Sequence, residues 1–197
     1  MKMLSIEKFL LNKLQSKRGT INLIEKLFAF VELNGHKSFL EIGCGSGFIT
    51  KYIANEYGGE VTGVDIDPRQ IELAIKESIY IGDISYLEAN ATNLPFEDKR
   101  FDIVLSVGVL HHIENWLDAL KEMKRVLKSG GYFLYADIVY PERITTIDKT
   151  STLSFGLVTI DIGELNSFLE KFGFTTIYSQ WKNRWVCKNY EAVYRIN

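Results

Sequence analysis

Residues 40–50 read Leu-Glu-Ile-Gly-Cys-Gly-Ser-Gly-Phe-Ile-Thr, and no other stretch constrains the chain as tightly. A short apolar strand carrying an acid, Glu41, runs straight into Gly43, Gly45 and Gly47, and a helical pattern (Phe48, Ile49, Tyr52, Ile53) follows at once. Alternating glycines at a strand-to-helix turn leave the backbone bare, so a ligand can approach it closely. The dinucleotide fingerprint places its third glycine three residues after the second. Here that position is Phe48, and the glycine stands one place earlier, at Gly47. The spacing does not suit a pyrophosphate turn.

Around this turn, strands and helices alternate. Residues 38–42, 60–65, 85–88, 101–107 and 132–137 read as strands, and the nearly continuous apolar run at 101–107 is expected where both sheet faces are covered. Residues 48–57 form the first core helix. Asp67-Pro68-Arg69-Gln70 supplies a cap, a first-turn proline and a glutamine for a helix running to about Tyr80. Trp116, Leu117, Leu120, Met123, Val126 and Leu127 mark a further helix, stopped by Ser129-Gly130-Gly131. Ahead of the core, residues 4–16 and 22–33 look like amphipathic helices, the second with Asn22 and Glu25 as a capping box. Asp161 and Glu164 cap a last helix that ends at Gly173. The β-rich runs 175–181 and 185–195, linked only by Lys182-Asn183-Arg184, must pair antiparallel, because the link is too short for a crossover helix.

With 197 residues and 46% apolar content, the chain can bury the core of one domain. We expect a single unit, 1–197, with 1–35 as an N-terminal helical cap and 36–197 as the core. A net charge of −2 advertises no nucleic-acid partner. Cys44 and Cys187 have no metal-type spacing and read as free thiols of a reducing, cytoplasmic compartment. Ser5, Glu7, Lys8 and Asn12 interrupt the N-terminal apolar residues, so neither a signal peptide nor a membrane span is expected.

In an open α/β sheet, ligands sit beyond the carboxyl ends of the strands. Asp65 ends the second strand about twenty residues past the glycine loop, where a carboxylate grips a ribose diol, and Ile66 beside it offers an apolar face. The third strand leads into Ala89-Asn90-Ala91-Thr92-Asn93-Leu94-Pro95-Phe96. The fourth runs Phe-Asp-Ile-Val-Leu-Ser-Val-Gly-Val-Leu-His-His-Ile, and the next helix ends in Leu-Lys-Ser-Gly-Gly. His111 and, after the fifth strand, Asp137 are candidate bases.

Taken in order over about residues 38–137, these segments resemble the class I S-adenosylmethionine-dependent methyltransferases, nearest to their broad small-molecule group. The resemblance implies an α/β, Rossmann-like, doubly wound seven-stranded sheet, mostly parallel, finished by an antiparallel hairpin. It implies S-adenosyl-L-methionine as cofactor, no metal, and methyl transfer by in-line displacement, in which a base matters only if the acceptor arrives protonated. The cofactor-binding set it implies is Glu41, Gly43, Gly45, Gly47, Asp65, Ile66, Asn90, Ala91 and Ser106. Asn90 stands where the family has an aspartate, so it would accept from the adenine amino group without charge. Ala91 would offer its N–H to the ring. Of the two histidines, His111 is expected to face the methyl group and His112 to be buried and hydrogen-bonded. Tyr140, Phe155 and Leu157 fall in a connection, 137–160, that reads as a lid over the acceptor.

The implied partner is a small-molecule acceptor. Methylation of RNA or protein is a second reading, with Lys8, Lys13, Lys17, Arg18, Lys182, Arg184 and Lys188 as a basic rim, although no Asn-Pro-Pro-Tyr-like motif follows the fourth strand. A non-catalytic cofactor-binding protein is a third, and a nicotinamide oxidoreductase a distant fourth.

Overall fold

The apolar run at the middle of the chain becomes the middle of the sheet. In the computed structural model, which describes residues 17–33, 35, 37–78, 82–139, 158–183 and 188–197, the strands are β1 (Ser38–Ile42), β2 (Glu60–Asp65), β3 (Asp83–Glu88), β4 (Phe101–Val107), β5 (Leu127–Val139), β6 (Phe174–Asn183) and β7 (Lys188–Ile196). The helices are α1 (Lys17–Phe28), α2 (Phe48–Tyr57), α3 (Pro68–Lys76), α4 (Trp116–Val126) and α5 (Ile162–Lys171), with a 3-10 turn at Leu110–His112. The sheet order is β3-β2-β1-β4-β5-β7-β6. The first five strands are parallel, and β7 pairs antiparallel with both β5 and β6. The expected mostly parallel, seven-stranded sheet is therefore the observed one.

Each face of the sheet is covered. On one, Ile24, Leu27 and Phe28 of α1 and Ile49, Ile53 and Ala54 of α2 pack on Phe39, Ile103, Leu105, Leu134 and Val193. On the other, Trp116, Leu120 and Met123 of α4 and Leu165 and Leu169 of α5 pack on Leu40, Val104, Phe133 and Tyr194. Alternate residues of β4 thus serve opposite cores, which is why its sequence lacks a polar face. The order reverses between β1 and β4, and the carboxyl ends of both open onto the same edge.

Several boundaries differ from expectation. α1 starts at Lys17, so Asn22 and Glu25 lie within it and form no capping box; Glu25 instead accepts from the Tyr52 hydroxyl at 2.9 Å. Asp67 caps α3 as expected, accepting from the Arg69 N–H at 3.1 Å, but that helix ends at Lys76. Asp161 caps α5 through the Glu164 N–H at 2.9 Å. The Ser129–Gly131 turn does not stop α4, which ends at Val126. Phe101 pairs with Leu127 and Ile103 with Tyr132, so residues 128–131 loop out as a bulge within β5. A side chain at Gly131 would strike the carbonyl oxygens of Asp102 and Lys128. The expected helix at 4–16 and the expected lid with Tyr140, Phe155 and Leu157 lie outside the described residues, as do Arg184 and Cys187. Among the described residues, no helix is long and apolar enough to cross a membrane.

One buried-edge network holds the segment after β3 against α4. Arg125 donates to the carbonyls of Leu94 (2.9 Å) and Phe96 (2.7 Å) and to Asp98 and Glu122, while Glu122 accepts from the Leu94 N–H at 2.8 Å. Replacing Arg125 by Met keeps the aliphatic stem and strands both carbonyls. We expect Arg125→Met to lower unfolding stability by roughly 2 kcal/mol, read as a shifted urea midpoint with unchanged slope.

Candidate functional site

The glycine loop is built by three different demands. Gly43, Gly45 and Gly47 all have positive φ (68°, 53° and 74°). A side chain at Gly43 would collide with Val109, and one at Gly47 with the Tyr86 hydroxyl. At Gly45 it would meet nothing nearer than Gln70 Oε1 at 3.7 Å. Two of the glycines thus serve packing against the protein itself, and Gly45 alone turns a bare face outward. The loop is pinned by the Cys44 N–H on the Val64 carbonyl (2.9 Å) and by the Gly45 N–H on Asp65 Oδ2 (2.9 Å).

Asp65 stands at the end of β2, half-buried, and its second oxygen accepts from the Asp67 N–H at 2.9 Å. Each carboxylate oxygen has two lone pairs, so both retain acceptor capacity toward a diol. Ile66 beside it is 62% exposed, an apolar platform at the sheet edge. Asn90 is exposed, and its Oδ1 accepts from both the N–H (3.0 Å) and the hydroxyl (2.9 Å) of Thr92, an Asx turn that the sequence reading did not foresee. Ala91 is buried behind it. Ser106 is fully buried, its hydroxyl without a hydrogen-bond partner among the described residues, and it does not line the cavity.

A cavity of about 500 Å³ opens beside this loop at the carboxyl edge. Gly43, Cys44 and Ser46 form one wall, Val107, Gly108 and His111 a second, and Ala136, Asp137 and Ile138 a third. Lys17, Thr20 and Leu23 of α1 and Asn189 and Glu191 of β7 contribute further; of these five, sequence reasoning named only Lys17, in the basic rim of the second reading. The signal for Glu191 was legible, an acid inside the apolar run 190–194. Its buried carboxylate is held by Lys26 of α1 at 3.0 Å and Lys182 of β6 at 2.6 Å, and Lys26 also donates to Gln180. A second cavity, about 560 Å³, lies at the opposite edge around Ser38, Gly59 and Asp102. Its charges are already matched, Arg100 with Glu60 and Lys128 with Asp102, and the glycine loop is at the other end of the strands.

His111 and Asp137, read from the sequence as two separate candidates, form one pair. Asp137 Oδ1 lies 2.5 Å from His111 Nδ1, and Oδ2 accepts the His111 backbone N–H at 3.2 Å. Both residues are almost wholly buried. A carboxylate only accepts, so Nδ1 carries the hydrogen and Nε2 is the basic nitrogen. The expectation for His112 is corrected. It is His111 that is buried and bonded, because the 3-10 turn at 110–112 directs it back onto β5, while His112 is half-buried beside it with ring centroids 4.0 Å apart. Burial, and then the neighbouring His111, push His112 down to about 4, so it stays neutral at physiological pH.

Glu41 is buried on the cavity wall and accepts from the Thr50 hydroxyl. Among the described residues it has no ion-pair partner. Burial pushes it up to about 8, with Asp65 adding to the effect and Thr50 opposing it. Burial and the same two carboxylates push the Cys44 thiol well up, so it is not a nucleophile.

Residues 40–135 match the model of the methyltransferase domain. The chain is 36% identical over 122 residues to a protein of Mycobacterium ulcerans named as a probable phthiotriol/phenolphthiotriol dimycocerosates methyltransferase, covering 61% of this chain and 46% of that one. It is 32% identical over 123 residues to the O-methyltransferase resE of Aspergillus sclerotiorum, covering 61% and 47%. The chain thus spans about half the length of these relatives. Among solved structures it superposes on the [4+2]-cyclase SpnF (TM-score 0.77, 18% identity, 91% of this chain and 82% of that one). It also superposes on a SAM-dependent methyltransferase of Aquifex aeolicus (TM-score 0.67, 19% identity, 92% and 95%). At these identities the likeness is one of fold.

The raised Glu41 carries a stability signature. A folded-state value near 8, against an ordinary 4.5, means that the native state holds an extra proton between those pH values, so stability falls as pH climbs through that window and levels off above it. Glu41→Gln lacks this dependence. Its stability relative to wild type should rise by up to about 1.4 kcal/mol per pH unit between pH 5 and 8, measured by urea denaturation at unit intervals.

Proposed function

Because this chain carries a methyltransferase domain of the class I, S-adenosylmethionine-dependent family, we propose that it transfers a methyl group from S-adenosyl-L-methionine to a hydroxyl of a small-molecule acceptor. The observation that carries this reading is the His111–Asp137 pair on the wall of the cavity that adjoins the glycine loop. The names of the curated relatives, small-molecule and O-methyltransferases, support the acceptor class.

The donor site is the carboxyl edge from β1 to β3. The bare backbone at Gly45 and the Glu41 carboxyl take the amino-acid end, while Gly43 and Gly47 keep the loop folded by packing on Val109 and Tyr86. Asp65 accepts from the ribose diol, and Ile66 and the Ala91 N–H flank the adenine. Asn90 shapes the turn beneath the adenine, its oxygen being shared with Thr92, and Ser106 supports the floor from inside the core. When bound, S-adenosyl-L-methionine supplies a methyl group made electrophilic by its sulfonium. The protein's own work is to align the acceptor, exclude water and take its proton. His111 Nε2 accepts the hydroxyl proton, and Asp137 fixes the tautomer and steadies the imidazolium. α1 closes the cavity through Lys17, Thr20 and Leu23, which supports residues 1–35 as a cap on a 36–197 core within one unit, 1–197. The free, buried Cys44 supports a reducing, cytoplasmic setting.

Cofactor binding without transfer is the second reading, favoured by one observation: the Asn90 oxygen is already engaged by Thr92. Calorimetry with S-adenosylhomocysteine and turnover of a phenol and hydroxy-lipid panel separate the two. Wild type should bind, and Asp65→Ala should weaken binding about 100-fold, since two charge-assisted contacts are lost. His111→Ala should leave cofactor affinity intact and lower kcat by about 10²-fold or more. Binding with no turnover on any acceptor would favour the second reading.

A further inference from the structure

We propose that Glu41 is a neutral carboxylic acid in the free protein and gives up its proton when the cofactor's ammonium group arrives, so that cofactor binding releases a proton. This rests on the cofactor reading above and adds a linkage that the reading does not require. The argument starts from geometry. Glu41 lies on β1 inside the sheet, 3% exposed, yet it lines the cavity next to Gly43 and Cys44. Its hydrogen-bond donors among the described residues are the hydroxyl and the backbone N–H of Thr50 on α2, both neutral groups. A carboxylate taken out of water with neither a cation nor a set of N–H donors is expensive, and it takes up a proton instead.

Among the described residues, no cationic side chain pairs with Glu41 to offset that cost. From β2, Asp65 adds a second carboxylate nearby, which works against ionisation. Cys44 in the loop is held as the neutral thiol, and Tyr86 of β3 as the neutral phenol, the latter pushed up to about 12 by burial first. On the far walls, His111 is committed to Asp137, and Glu191 to Lys26 and Lys182. Lys17 of α1, the lysine on this cavity wall among the described residues, sits 5.5 Å from the centroid of the Phe48 ring. Among the described residues Glu41 therefore faces the cavity without a paired cation, and an α-ammonium beside the glycine loop would supply one.

The exchange balances simply. The Glu41 O–H bond breaks, its proton goes to solvent, and the carboxylate left behind pairs with the ammonium. Net charge of the complex changes by the ligand's charge minus one released proton. The raised value of Glu41 supports the direction, since most molecules carry the proton at pH 7. A ligand of the same shape without the ammonium would lack the partner that makes ionisation favourable.

The test is titration calorimetry of wild-type protein with S-adenosylhomocysteine at pH 7 in phosphate and in Tris, whose ionisation heats differ. The slope of observed heat against buffer ionisation heat gives protons released per site. We expect a value near one at pH 7, falling to about one half near pH 8. For Glu41→Gln, which cannot ionise, binding should weaken about tenfold and the slope should drop to near zero. Should that variant fail to fold, the pH dependence of the wild-type slope decides alone. Tight binding with identical heats in both buffers overturns the proposal and leaves the cofactor reading standing, as does an unchanged slope in Glu41→Gln. Absence of any binding sinks both.

Discussion

The whole donor side turns on one carboxylate that never leaves its strand end. Asp65 accepts from the Gly45 N–H with one oxygen and from the Asp67 N–H with the other, so a single side chain ties the loop after β1 to the entry of α3. Charge-assisted bonds of this kind are short and directional. They hold a glycine-rich segment, with little side-chain packing of its own, in one conformation. The same two oxygens then face the solvent edge with acceptor capacity to spare. Loop shape and, in the proposed donor site, ligand recognition thus rest on one side chain.

The acceptor side is made differently. In the proposed mechanism it rests on a buried imidazole and carboxylate brought from beyond the end of β4 and from β5, which are neighbours in the sheet. Their partnership follows from strand order and from a 3-10 turn that rotates His111 inward. The fold on which this happens is shared with a methyltransferase and with a [4+2]-cyclase, so the architecture by itself does not choose a reaction. The choice lies in the side chains around the cavity.

Much of the fold was legible because the chain signals it locally. The strands at 38–42, 60–65 and 101–107, the helix at 48–57 and the Asp67 cap appear at their expected bounds, since each combines apolar period with a strong boundary residue. What misled was information that resides elsewhere in space. Asn22 and Glu25 have capping chemistry but sit inside a helix fixed by Ile24, Leu27 and Phe28 against the sheet. The glycines at 130 and 131 read as a helix stop, whereas they serve a bulge whose geometry depends on Asp102 of the neighbouring strand. In the site, Asp65, the glycines and His111 were visible as types at the right strand ends. The pairing of His111 with Asp137, the burial of His111 rather than His112, and the share of α1 and β7 in the cavity were not visible, because each depends on contacts between segments distant in sequence.

The Lys26–Glu191–Lys182 cluster has a consequence for how the molecule comes together. Glu191 belongs to the last strand, and Lys26 to the first described helix, which furnishes a wall of the cavity. That wall has no electrostatic anchor until the C-terminal hairpin has taken its place beside β5. The glycine loop is pinned by Val64 and Asp65 of β2, whereas the wall that α1 adds to the cavity is held by residues of β6 and β7. Loop geometry and enclosure of the cavity therefore depend on opposite halves of the sheet.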